Sequence, residues 1–192
     1  MVRSGTLSQL GFVIKGYDTI PDMKKLVIKD KFLNENELRE VLNVINGLSW
    51  KYGATSGDSN SVRFWISHLN NEKKIFDIIL PKIEKMSGLK LEMERVYANG
   101  QTYGQDGEFH TDHESYDRYT FILYVSPIFP ENVDTVGGFT QFKIDNQIVN
   151  VEPYQNRGCL FKSNIMHRGL APSREVDMLR VTLAFKMKRV FI

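Results

Sequence analysis

The chain has 192 residues, a length suited to one domain with a substantial core. Its composition is ordinary for a globular protein, and a formal charge of +2 is too small to argue for a polyanion partner, so a nucleic-acid partner is not expected. No apolar run approaches the roughly 20 residues that span a bilayer, residues 1–6 lack the pattern of a secretory signal, and the single cysteine, Cys159, excludes an intrachain disulfide, so a cytoplasmic protein without a membrane partner is expected.

The pattern along the chain divides it into a helical front, about residues 25–88, and a strand-rich back, about residues 89–188, within one domain over 1–192. Residues 25–28 read as a short strand. A helix is predicted over residues 35–46, with Asn34 as its N-cap, Glu35 and Glu37 near the positive end of the dipole, and Gly47 as its stop. Leu38, Val41, Leu42 and Ile45 give it one apolar face. The stretch from Gly53 to Ser61, flanked by Trp50, Tyr52, Phe64 and Trp65, reads either as a mobile lid with aromatic walls or as loop beside core tryptophans. His68, between apolar neighbours, reads as structural. A second helix is predicted over residues 72–86, kinked or divided by Pro81. Strands are predicted over residues 91–98, 119–125, 139–142, 147–151, 158–161 and 179–186. Asn99-Gly100 reads as a turn and Asp145-Asn146 as a hairpin turn. Lys186, Lys188 and Arg189 read as a solvated basic cluster. Many short strands at close spacing imply a sandwich or barrel, with the helices covering one sheet.

His110-Thr111-Asp112 and the distant His167 are the residues that point to chemistry. On a strand, residues two apart share a face, so His110 and Asp112 can address one metal. Two histidines and a carboxylate are the ligand set of a facial triad for non-haem Fe(II). A zinc site drawing on His113 or Glu114 stays open on composition alone.

Four pieces in order give these residues a context. Tyr97-Ala98-Asn99-Gly100 leads to His110-Thr111-Asp112, and the strand from Tyr119 to Val125 follows. Gly137-Gly138-Phe139-Thr140-Gln141-Phe142 comes next, then His167-Arg168-Gly169, with Arg180-Val181-Thr182 beginning 13 positions after His167. Over about half of its length the chain resembles the 2-oxoglutarate/Fe(II)-dependent dioxygenases, in particular their prolyl 4-hydroxylase-like branch. The resemblance implies a mainly β fold with flanking α, a double-stranded β-helix or jelly-roll barrel with the N-terminal helices packed on one sheet.

It further implies that His110, Asp112 and His167 ligate Fe(II). Arg180 would bind the distal carboxylate of 2-oxoglutarate, with Thr182 sharing its face, and Tyr97 and Tyr124 would stand near the cosubstrate. No catalytic side chain beyond the metal centre is implied, and ascorbate is an expected reductant. Two departures accompany the match. Many relatives carry lysine where Arg180 stands, and reach it sooner after the histidine. The longer turn from Pro172 to Asp177 accounts for the spacing and makes Arg174 a competing anchor. Relatives that halogenate have a small residue at the position of Asp112, so hydroxylation or demethylation is favoured.

The implied reaction hydroxylates an unactivated C–H bond while 2-oxoglutarate leaves as succinate and CO2. A prolyl residue of a peptide or protein is the first expectation for the substrate, and a free amino acid or small metabolite the second. A nucleic-acid demethylase and a metal-binding protein without catalysis are further alternatives. Whether residues 53–61 or 101–107 act as a lid is not fixed by the sequence.

Overall fold

A computed structural model describes residues 26–56 and 61–191. Lys25, at the start of the first expected strand, and most of the second half of the 53–61 stretch lie outside the described residues.

Strand β1 (Leu26–Lys29) precedes helix α1 (Glu35–Asn46). The helix starts where Asn34 predicts. The Asn34 side chain accepts from the Glu37 N–H at 3.0 Å, and the Glu37 carboxylate accepts from the Asn34 N–H at 2.8 Å. Val41 and Ile45 are buried on its apolar face. Two strands that the sequence reading did not assign bracket the 53–61 stretch, β2 (Lys51–Ala54), which takes in its first two residues, and β3 (Phe64–His68). His68 is exposed, not a core residue. Trp50 packs on the main core, whereas Trp65 lies against Tyr52 at 5.1 Å.

Helix α2 (Lys73–Ser87) buries Ile75, Ile79 and Ile83 and ends at Gly88 in the left-handed conformation. Pro81 does not divide it. Pro81 is exposed, so the carbonyl it leaves without a donor lies on the solvent side, where its exposure costs little.

Strand β4 (Leu91–Gln101) runs through the expected turn at Asn99-Gly100. Gly100 pairs with Val181 on one side and Trp65 on the other. A Cβ at Gly100 would come within 2.8 Å of the Leu179 side chain, so this glycine serves a close approach and not a reversal. The remaining elements are β5 (Arg118–Tyr124), a short helix α3 (Val133–Val136), β6 (Thr140–Ile144), β7 (Gln147–Val151), β8 (Gly158–Lys162), β9 (His167–Gly169) and β10 (Arg180–Arg189). Asp145 and Asn146 both take positive φ, as a tight hairpin between β6 and β7 requires.

The strands form two antiparallel sheets. The larger has the order β1-β8-β5-β10-β4-β3-β2, and the smaller β7-β6-β9. Alternation along the central strands gives the large sheet two different faces. Val96, Ala98, Phe121, Leu123, Leu183 and Phe185 join α1 and α2 in the main core. On the opposite face Ile122, Tyr124, Cys159 and Phe161 meet Phe142 and Val151 of the small sheet. The chain is therefore mainly β, a jelly roll with the helices packed on one sheet, as expected. No helix among the described residues is long and apolar enough to cross a membrane.

Asn156 ties the helical front to the sheets. It is buried, with φ 65°, and its side chain accepts from the Leu33 N–H at 2.8 Å and donates to the Leu33 carbonyl at 2.7 Å. Its own carbonyl accepts from the Phe32 N–H at 2.9 Å. Asn156→Ala leaves two buried backbone groups unpaired and strains a left-handed residue. A loss of about 2–3 kcal/mol is expected, read from the urea midpoint. Asn156→Gly relieves the backbone but not the missing bonds, so it recovers only part of that loss.

Candidate metal centre

β10 lies between β4 and β5, and its register builds the site. On the face turned from the helices, Thr182 lies between Asn99 and Tyr124, Ala184 between Tyr97 and Ile122, and Lys186 between Arg95 and Thr120. Arg180 opposes Gln101 at the start of the strand. Most of these side chains floor a cavity of about 270 Å³. Its walls come from the small sheet through Thr140, His167 and Gly169, from His110 and Asp112, and from Ala54, Thr55 and Ser56.

The two histidines meet through backbone pairing. His110 N–H donates to the His167 carbonyl at 3.0 Å, and His167 N–H returns a bond to His110 at 2.9 Å. This isolated bridge, and not a regular strand, carries His110. The reciprocal bonds put the two rings on the same side, with centroids 4.5 Å apart. Asp112 lies in a bend, and its N–H is bonded to the Ser163 carbonyl at 2.8 Å.

One ligand-type atom from each of His110, Asp112 and His167 falls within 4.8 Å of the other two. Asp112 Oδ1 is 3.6 Å from His110 Nε2, and Asp112 Oδ2 is 3.4 Å from His167 Nε2. Each Nδ1 lies 2.9 Å from a carbonyl, that of Glu108 for His110 and of Ile165 for His167. A carbonyl only accepts, so each Nδ1 carries the proton and each Nε2 presents its lone pair to the shared space. Phe161 and Phe142 hold the His167 ring, with centroids at 4.7 and 5.9 Å. Burial pushes His167 down to about 4, against the pull of Asp112, which keeps the ring neutral near pH 7. Burial opposes ionisation of Asp112. The Lys186 ammonium beside it opposes that effect and holds the carboxyl well below its usual range. Thr120 donates to Asp112 Oδ2 at 2.6 Å, and Lys186 pairs with the same oxygen.

Arg180 is 2% exposed. Its Nε donates to the Gly138 carbonyl at 2.8 Å, Nη1 to Gln101 Oε1 at 2.9 Å and Nη2 to Thr140 Oγ1 at 3.2 Å. All three partners are neutral, and among the described residues no carboxylate pairs with it. Burial pulls it down to about 10, so it remains a cation at neutral pH. Gly138, with φ 74°, lies against the guanidinium, and a Cβ there would come within 3.2 Å of Arg180 Nε. The Gly-Gly-x-Thr-x-Phe stretch thus supplies a carbonyl and a hydroxyl to Arg180 and a ring to His167. Two further buried oxygens lack partners, Asn99 Oδ1 and the Tyr124 hydroxyl, which faces Thr140 without a well-formed bond.

The structure gathers His110, Asp112, His167, Arg180, Thr182 and Tyr97 around one cavity. Tyr124 lies just behind it, its ring 5.7 Å from the Arg180 guanidinium carbon. Arg174 is exposed and does not line the cavity, so it is not the anchor. The 101–107 segment is tied down: Gly107 N–H bonds to Gly169, Ala171 N–H to Asp106, and Gln101 Nε2 to Gln105. Lys186 is not part of a solvated cluster. Its side chain is 14% exposed and lies in the site. Sequence reading passed over Lys186, Thr120, Gln101 and Arg95. Counting in twos along β10 from Arg180 would have reached Lys186 on the same face.

No family model and no curated protein matches the sequence. Solved structures do match in shape. A 2OG-Fe(II) oxygenase family oxidoreductase from Burkholderia pseudomallei is 12% identical with a TM-score of 0.68, over 85% of each chain. A prolyl hydroxylase from Trichoplax adhaerens, in complex with a hypoxia inducible factor peptide, is 16% identical with a TM-score of 0.62, over 86% of this chain and 83% of that one. The non-heme alpha ketoglutarate dependent epimerase SnoN, from nogalamycin biosynthesis, is 13% identical with a TM-score of 0.61, over 85% of this chain and 77% of that one. The fold of this chain is that of the 2OG-Fe(II) oxygenases.

Proposed function

We propose that the chain is an Fe(II)- and 2-oxoglutarate-dependent dioxygenase that hydroxylates a C–H bond. One observation carries this reading. The cavity that brings His110, Asp112 and His167 together also holds Arg180, a buried cation without an anionic partner among the described residues. A buried guanidinium with only neutral partners is costly unless a ligand completes its charge balance. A dianion reaching from a metal to Arg180 does so. The fold shared with oxygenases of this kind supports the same reading.

The residues fit both groups. The two Nε2 lone pairs and the ionised Asp112 carboxylate make a nitrogen and oxygen donor set suited to a non-haem iron with open positions. Thr120 and Lys186 hold Asp112 Oδ2 and so orient the carboxylate. Arg180 offers a planar fork to the distal carboxylate of 2-oxoglutarate. Thr182 lines the cavity and can add a donor, Tyr97 walls it, and the unpartnered Tyr124 hydroxyl lies behind it. With O2, bound iron and 2-oxoglutarate supply the oxidising power that turns C–H into C–OH, leaving succinate and CO2. The protein supplies ligands, orientation and exclusion of water, and no side chain is needed as a general base.

A prolyl residue of a peptide remains the first substrate expectation, supported by the prolyl hydroxylase and its peptide among the similar structures. The epimerase on the same fold shows that the scaffold does not decide the substrate. Succinate formation from 2-oxoglutarate under Fe(II), O2 and ascorbate is the direct test of the reaction class. Wild type is expected to turn over at least slowly without substrate, and Asp112→Ala to lose both turnover and Mn(II) binding; equal behaviour of the two proteins overturns the reading. Arg180→Gln is expected to raise the apparent KM for 2-oxoglutarate by about tenfold or more, the scale of one charge-assisted bond. The Fe(II) requirement should hardly change, and equal effects on both would remove Arg180 from this role.

A further inference from the structure

Arg95 answers no charge among the described residues. It lines the cavity, it is exposed, and among the described residues it has no ion pair or hydrogen bond. Its guanidinium carbon lies 4.6 Å from the centre of the Tyr97 ring. Directly across the sheet from it stands Lys186, whose ammonium is 5.6 Å from the same ring. Like charges set opposite each other on one face of a sheet repel and destabilise it. The Lys186 charge is met by Asp112, and the nearest acidic neighbour of Arg95 along its strand, Glu94, is engaged with Arg118 at 2.9 Å.

The charges that the described residues bring to the cavity lead the same way. Among those residues its charged lining is three cations, Arg95, Arg180 and Lys186, against one carboxylate, Asp112. A divalent metal and a 2-oxoglutarate dianion cancel each other, so loading the site leaves that excess in place. Metal at Asp112 also shares the carboxylate that met Lys186. Resting on the proposed dioxygenase reading, we infer that the substrate carries an anionic oxygen group, a carboxylate or a phosphate, which Arg95 receives at the cavity mouth beside Lys186. The guanidinium fork suits either group, and its stacking on Tyr97 fixes the plane it presents. Charged groups lining a cleft of this kind raise the local concentration of an oppositely charged ligand.

The test is binding to the full chain loaded with Mn(II) and 2-oxoglutarate, read as Mn(II)-enhanced relaxation of probe protons. Matched probes are acetate and acetamide, benzoate and benzamide, and N-acetyl-L-proline and N-acetyl-L-prolinamide, with phenyl phosphate as the phosphate arm. At least one anion is expected to bind about fivefold tighter than its neutral partner, the upper range for a solvent-exposed ion pair, and salt should weaken it. Arg95→Gln is expected to erase that preference, and Arg95→Lys to retain part of it. The carboxylate and phosphate arms show which anion the site takes. If no anion is relaxed more than its amide, or if Arg95→Gln keeps the preference, the inference is wrong. A prior titration of Mn(II) and 2-oxoglutarate separates the two levels: wild type that binds neither overturns the dioxygenase reading itself, and wild type that binds both without anion preference overturns only the role of Arg95.

Discussion

The register of β10 between β4 and β5 is the constraint on which the rest depends. One set of alternate residues, Leu183 and Phe185 among them, seals the helical core. The other set, Arg180, Thr182, Ala184 and Lys186, floors the cavity. Because side chains alternate with a period of two, a slip of one residue would send both cations into the helical core and both apolar residues into the cavity. Burial of Leu183 and Phe185 therefore fixes the positions of the polar groups as firmly as it stabilises the fold.

The cavity concentrates groups that folding alone does not satisfy. Arg180 is buried with neutral partners, and the Tyr124 hydroxyl and Asn99 Oδ1 have none. Such groups cost stability unless a partner meets them. Arg180 and the Tyr124 hydroxyl are donors that an anionic ligand would complete, whereas Asn99 Oδ1 accepts and calls for a donor. The backbone at Gly137 and Gly138, both with positive φ, lets a carbonyl approach the guanidinium where a side chain would collide.

At the other end of the constellation, two reciprocal backbone bonds place His110 opposite His167. Two carbonyls then choose the tautomer of each ring, and two phenylalanines fix the plane of His167. Asp112 is ionised because the Lys186 ammonium beside it offsets the effect of burial. The constellation thus has neutral nitrogens and a charged oxygen facing one space.

The sequence by itself determined what rests on neighbours along the chain. The Asn34 cap, the apolar face of α1, the Asp145-Asn146 hairpin and the alternation of the strands are all local, and each is present. The residue types of the centre were legible for the same reason: His110-Thr111-Asp112, His167 and Arg180 sit in recognisable order. What lay beyond the sequence depended on partners far away in the chain. Asn99-Gly100 looks like a turn until Val181 and Trp65 pair with Gly100. Residues 51–54 and 64–68 carry no strong strand signal, and pairing on β4 makes them strands. Lys186 looks like surface beside Lys188 and Arg189 until sheet register turns it toward Asp112. Its charge, and that of Arg95 across from it, acquired meaning only in the tertiary structure, because cross-strand neighbours are set by hydrogen-bond register and not by distance along the chain.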